Sequence, residues 1–160
     1  MKVADLMTKN VQSIREDAPL SAAAQMMWDC DCGAIPVLDS QGSQVIGMVT
    51  DRDICMATWS RDAAPSAVRV SDAMSKSLYH CSPDDSVASA ETIMRQRQVR
   101  RVPVLGSDRR LVGILSLADV VRNASSSSSR GQRESAEEIT STLATICKSS
   151  NQSRSGARAS

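Results

Sequence analysis

A hydroxyl residue three positions ahead of a carboxylate occurs at two related places in this 160-residue chain, Thr50 with Asp53 and Ser116 with Asp119. In both places the hydroxyl closes a short apolar run, and the carboxylate falls one turn into a predicted helix. The free N–H groups that open a helix favour a phosphate, and a hydroxyl beside them adds a donor. A carboxylate on the same side accepts the hydroxyls of a ribose, as acidic residues do in dinucleotide sites. Together these groups describe a ribose-phosphate grip. The same spacing also describes an N-cap with an acidic first turn, a common arrangement. Its recurrence at matched positions is what favours the ligand.

Other residue types offer less. Cys30, Cys32, Cys55 and the neighbours His80 and Cys81 carry zinc-ligand chemistry, but they lack the paired C-x2-C spacing of structural zinc sites. The cysteines, Cys147 included, are therefore expected as reduced, buried small hydrophobes. His80 has no nucleophile at a diagnostic spacing, which leaves a catalytic triad unsupported. Met26, Met27 and Met94 lie in helical apolar stripes and are expected to fill the core. Trp28 and Trp59 are isolated and form no platform for stacking bases. Arg95, Arg97, Arg100 and Arg101 form a basic run without a groove-reading motif, so nucleic acid is not expected as a partner.

The elements that must position the two grips repeat as well. Val3-Ala4-Asp5-Leu6-Met7-Thr8 recurs as Val70-Ser71-Asp72-Ala73-Met74-Ser75, and Ile35-Pro36-Val37-Leu38 as Val102-Pro103-Val104-Leu105, both at an offset of 67. Gly47 to Ile54 matches Gly113 to Val120 at an offset of 66, which predicts one residue lost from the intervening loop. In the first half Leu20, Ala23, Ala24 and Met27 predict an amphipathic helix that starts after Asp17-Ala18-Pro19 and ends near Cys32-Gly33. Its twin starts at Pro83-Asp84-Asp85, with Val87, Ala90, Ile93 and Met94 on one face. Residues 34–38 and 45–49 read as strands around the turn Asp39-Ser40-Gln41-Gly42, and 102–105 and 111–115 repeat them around Gly106-Ser107-Asp108. Each half thus reads as strand, helix, strand, strand, helix, an α+β fold. A unit of about 60 residues buries little apolar surface alone, so the halves are expected to pack about a pseudo-two-fold axis as one domain. Beyond residue 123 comes a Ser-rich linker (124–133) and a helix (134–148) with Ile139, Leu143 and Ile146 in register and a capping box from Ser135 to Glu138. A disordered tail (149–160) is expected to follow.

Composition bounds the function. A net charge of +1 gives no overall field for wrapping nucleic acid or a membrane surface, so any anion site must be local. No apolar run approaches the roughly 20 residues of a membrane span, and Asp5 interrupts the segment where a signal peptide would be apolar; a cytoplasmic protein is expected. With aromatics at 2% and no Phe, packing must rely on aliphatic side chains and Met.

The duplicated motifs, Val-x-Asp-Leu-Met-Thr, Ile-Pro-Val and Gly-Met-Val-Thr-Asp-Arg-Asp-Ile, resemble a tandem pair of cystathionine β-synthase (CBS) domains, a Bateman module. The resemblance covers residues 1 to about 122, with repeats at 1–62 and 63–123, and the layout is similar to small stand-alone bacterial CBS-pair proteins of the hypoxic response type. It implies a regulatory module with no catalytic residues and no obligatory cofactor, which binds an adenosyl ligand of the AMP, ADP or ATP class between the repeats. In the first cleft it implies Thr50 at phosphate and Asp53 at ribose, with adenine against Met7-Thr8, Gln12 and Cys32-Gly33-Ala34. In the second it implies Ser116 and Asp119 with Met74-Ser75, Tyr79 and Val99-Arg100-Arg101. Family members also send basic residues from before one Pro-Val strand toward the other repeat's phosphates. Arg100 and Arg101 would then serve the Thr50/Asp53 cleft, where their forked donors suit phosphate. Gly33 and Ala34 hold the matching positions, so the second cleft should be weaker for charged nucleotides. The resemblance further implies a homodimer and an unidentified protein target. Two other readings stay open: an interaction module that senses no nucleotide, and a metal or redox sensor using the cysteines.

Overall fold

The computed structural model describes residues 1–126 and 140–146. A short helix α1 (Val3–Leu6) leads to strand β1 (Ile14–Arg15), helix α2 (Leu20–Asp29), the hairpin β2 (Ala34–Leu38) and β3 (Val45–Thr50), and helix α3 (Asp51–Arg61). Two 3-10 turns, Pro65–Ala67 and Val70–Asp72, precede α4 (Val87–Arg97), the hairpin β4 (Arg101–Leu105) and β5 (Leu111–Ser116), and α5 (Leu117–Ser126). A further helix spans 140–146. Helices and small sheets are mixed as the α+β reading requires. Of the expected C-terminal segments, the linker from 127, residues 134–139 and 147–148 of the helix, and the tail 149–160 lie outside the described residues, as does Cys147.

Local sequence accounts for the elements. Helix α2 buries Leu20, Ala23 and Met27, the i, i+3, i+7 stripe, and stops sooner than predicted, at Cys30, because Asp31 turns left-handed at φ 48°. Gln98, 67 residues on, takes φ 53° as the cap of α4. The twin helix starts at Val87, later than Pro83-Asp84-Asp85, because the Ser86 hydroxyl is the group that accepts the Ser89 N–H. The hairpins share one register: Val37 faces Gly47 and Val104 faces Gly113, and each breaks register one residue later. Between the paired ends lie residues 39–44 in the first hairpin and 106–110 in the second, which locates the missing residue in that loop. One predicted strand differs. The opening strand of the second half is reduced to a single parallel bridge between Cys81 and Val104, whereas β1 pairs along β2.

The halves exchange their opening segments. Val3 N–H donates to the Asp85 carbonyl at 2.9 Å and Val70 N–H to Ala18 at 2.9 Å, the same contact moved by 67 residues. Thr8 bridges Ile114 of β5, and Ser75 bridges Met48 of β3. Val3 is thereby buried in the core of the second half with Met94, Val102 and Leu115. Val68 and Val70 are buried in that of the first with Leu20, Ile35 and Val49. Two small cores thus complete each other, which is how halves this short escape the surface-to-volume limit.

The cysteines divide. Cys81 is buried, but Cys30 and Cys55 are exposed and Cys32 is half-buried, so the expectation of uniformly buried thiols holds only for Cys81 among the described four. The reason is position: Cys30 caps α2 on its outer side and Cys55 lies on the outward side of α3. Met27 and Met94 are core residues as expected, in the first and second half respectively, and Met26 packs against the first-half core. Burial, with a smaller contribution from Asp85, pushes the Cys81 thiol up to about 11. At pH 8 iodoacetamide should therefore modify Cys30 and Cys55 in the native protein and spare Cys81 until denaturant is added. Peptide mass mapping that finds Cys81 modified as fast as Cys55 would contradict this packing.

Candidate nucleotide site

Thr50 ends β3 in extended backbone and caps α3. Its hydroxyl accepts the Asp53 N–H at 3.1 Å and donates to Asp53 Oδ2 at 2.7 Å, while its N–H donates to the same oxygen at 2.9 Å. Ser116 and Asp119 repeat the arrangement at 3.1, 2.6 and 2.9 Å. Each pair is a capping box at a helix N-terminus, but only the first stands whole on a cleft: Thr50 and Asp53 both line the first cleft, whereas in the second Ser116 lines the wall and Asp119 does not. The pairs differ in what remains. Among the described residues no hydrogen bond reaches Asp53 Oδ1, whereas Asp119 Oδ1 pairs with Arg122 one turn along. Burial raises the Asp119 carboxyl, but the Ser116 hydroxyl and N–H and the Arg122 guanidinium outweigh it and hold the group below the ordinary carboxylate range.

The first cleft, about 270 Å³, is lined by Thr50 and Asp53 from the first repeat and by Arg100 and Arg101 from the second. Gly33 and Ala34 line it, as expected. So do Ser75, Tyr79 and Val99, which the resemblance had placed with the second cleft. The exchanged segments explain this: Ser75 is hydrogen-bonded to Met48 of β3, so the chain leaving it passes the first repeat's grip. Arg97 stacks on the Tyr79 ring at 4.8 Å and holds that ring at the cleft. Met7 and Thr8 make the opposite move. Thr8 pairs with Ile114, and Met7 packs over Gly113, both in the second half. Met74 packs on the first-half core, Gln12 is exposed ahead of β1, and Cys32 lines a separate depression beside Trp28.

The second cleft, about 640 Å³, holds Ser116 together with Arg100, Arg101 and Arg122. This cleft is expected to be weaker for charged nucleotides because Gly33 and Ala34 hold the positions that match Arg100 and Arg101; in the structure both arginines, which are also expected there, line this cleft as well as the first. Leu117 N–H donates to the Arg100 carbonyl as Asp51 N–H donates to Gly33, so each helix start is tied to the strand opening beside it. Sequence reasoning missed Asp51, Arg52 and Ser77 in the first cleft and Arg122 and Leu143 in the second. Arg122, at i+3 from Asp119, was readable as a helix-surface pair. The others carried no local signal.

Among the described residues no group of three or more His, Cys, Asp or Glu could hold a metal ion, and no helix is long and apolar enough to cross a membrane.

The CBS domain model matches this chain twice, at residues 3–59 and 70–126. The chain belongs to the CBS domain family. This CBS pair is 35% identical to hypoxic response protein 1 of Mycobacterium tuberculosis over 119 residues, which cover 74% of the chain and 82% of that relative. The crystal structure of hypoxic response protein I, which has two coordinated zinc ions, superposes with a TM-score of 0.69 at 33% identity and covers 76% of this chain and 98% of the other. CBSX2, solved in complex with AMP, shares the fold at a TM-score of 0.67 and 24% identity, covering 77% of this chain and 95% of that one. CBS pairs are generally regulatory modules rather than catalysts.

Proposed function

We propose that this CBS pair is a regulatory module that binds an adenosyl nucleotide, of the AMP, ADP or ATP class, in the first cleft. The observation that carries the reading is that the Thr50/Asp53 capping box and Arg100 and Arg101 of the other repeat line one cleft. Asp53 Oδ1 offers an acceptor for a ribose hydroxyl, the opening of α3 and the guanidinium groups face phosphate, and Ala34, Val99 and Tyr79 supply apolar surface for a base. The AMP complex of CBSX2 supports the reading, because the same fold accommodates such a ligand there. Ligand bridging groups from both repeats would favour one arrangement of the halves to the extent of its differential affinity. Pairing of two modules belongs to the reading, and the exposed Trp28, Met56 and Trp59 on α2 and α3 offer apolar surface for it.

Calorimetric titration with AMP tests the proposal. Asp53→Ala should lower the first-cleft affinity at least tenfold, and loss of the capping box should reduce stability by about 1 kcal/mol. Absence of any adenosyl ligand binding at millimolar concentration would overturn it and leave the interaction module as the reading to pursue.

A further inference from the structure

The second cleft has a wall that no CBS repeat supplies. The family match ends at residue 126, yet Leu143, from the helix at 140–146, lines the cleft with Ser116, Arg101 and Arg122. That helix is seated firmly. Thr142 is 1% exposed, and Ile146 packs against the core of the second half. Leu143, one residue from the buried Thr142, keeps 38% of its surface exposed at the mouth of the cleft. The cavity beside it stays open at about 640 Å³, within the roughly 300–1,000 Å³ of small-molecule sites. The helix therefore borders the space without filling it, and adds an apolar side chain to a lining that also holds three guanidinium groups. Apolar surface and cationic forks in one cleft suit a ligand with a flat base and a phosphate.

From this juxtaposition we propose that the helix at 140–146 is a structural part of the second cleft, with Leu143 covering the base of a nucleoside phosphate held by Arg100, Arg101 and Arg122. This rests on the nucleotide reading above. Ligand and helix then stabilise each other, since burial of Leu143 against a base occurs only when both are in place.

The test uses the full-length chain carrying Asp53→Ala, which weakens the first cleft, with AMP as the probe. Saturating AMP should slow amide hydrogen exchange across 140–146 at least fivefold. Leu143→Asp in that background should lower the remaining AMP affinity at least tenfold, and Leu143→Ala should give a smaller loss in the same direction. Faster or unchanged exchange at 140–146, or second-cleft affinity within twofold after Leu143→Asp, would overturn the inference while first-cleft binding in the parent chain stands. Absence of AMP binding in the parent chain as well would overturn the nucleotide reading and this inference with it.

Discussion

Replacing Gly47 with valine lowers stability by about 3 kcal/mol, because a side chain there has no space and the strain falls on backbone. A Cβ at Gly47 would stand 2.4 Å from the Ser75 carbonyl oxygen. That oxygen accepts the Met48 N–H at 3.2 Å, and the Ser75 N–H donates to Met48 at 2.8 Å. Relief of the clash requires the exchanged segment to leave β3, with loss of both bonds and part of the seal over Val49 and Val70. For a fold of this size the expected fall in Tm is on the order of 10 °C. Thermal unfolding beside Gln44→Ala, an exposed loop substitution, provides the comparison. A Gly47→Val protein melting within 2 °C of the parent would show that the opening segment of the second repeat does not cross to the first. Gly113, with the Met7 sulfur 2.6 Å from its Cβ position, should respond in the same direction but less, because a flexible side chain can yield.

The second large effect concerns ligand. Arg100→Ala together with Arg101→Ala should weaken AMP binding by about 30- to 100-fold, which corresponds to the loss of about one charge-assisted hydrogen bond of roughly 1.5–3 kcal/mol. Adenosine, which lacks the phosphate, should lose no more than threefold. Arg101→Lys should recover charge but not the forked geometry, and bind AMP between the two. Because both arginines border both clefts, the double variant should reduce every AMP site the protein has, not the first alone. Equal losses for AMP and adenosine would show that the arginines hold the fold or the base, and would remove them from the phosphate site.

Much of this was legible in the sequence because its cause is local. The two hairpins follow from alternating apolar residues bounded by turn residues, and the missing residue lies in the loop that the change of offset from 67 to 66 indicated. The grips were legible for the same reason: a hydroxyl N-cap and a carboxylate three residues later satisfy each other within one turn, whatever surrounds them. The second opening strand was not legible. Its residues match the pattern, but Cys81 alone pairs, in one bridge to Val104, because strand pairing depends on the partner strand and not on the local pattern. The thiols were misjudged because burial depends on which side of α2 and α3 faces the core, and composition is silent on that.

The exchange of opening segments separates the two kinds of information most clearly. Periodicity and repetition establish that residues 3–8 and 70–75 are equivalent, and that both halves carry the same elements in the same order. Nothing in them says whether each segment packs on its own half or on the other, since both choices satisfy the same hydrophobic pattern. One trace was present: glycine in mid-strand at matched positions, Gly47 and Gly113, marks a close backbone approach. Its partner could not be read, because contacts between residues about 70 positions apart depend on three-dimensional fit rather than on neighbouring side chains. The same holds for the arginines shared by two clefts and for Leu143 at the second. Local chemistry along the chain made the grips; long-range packing chose which surfaces face them.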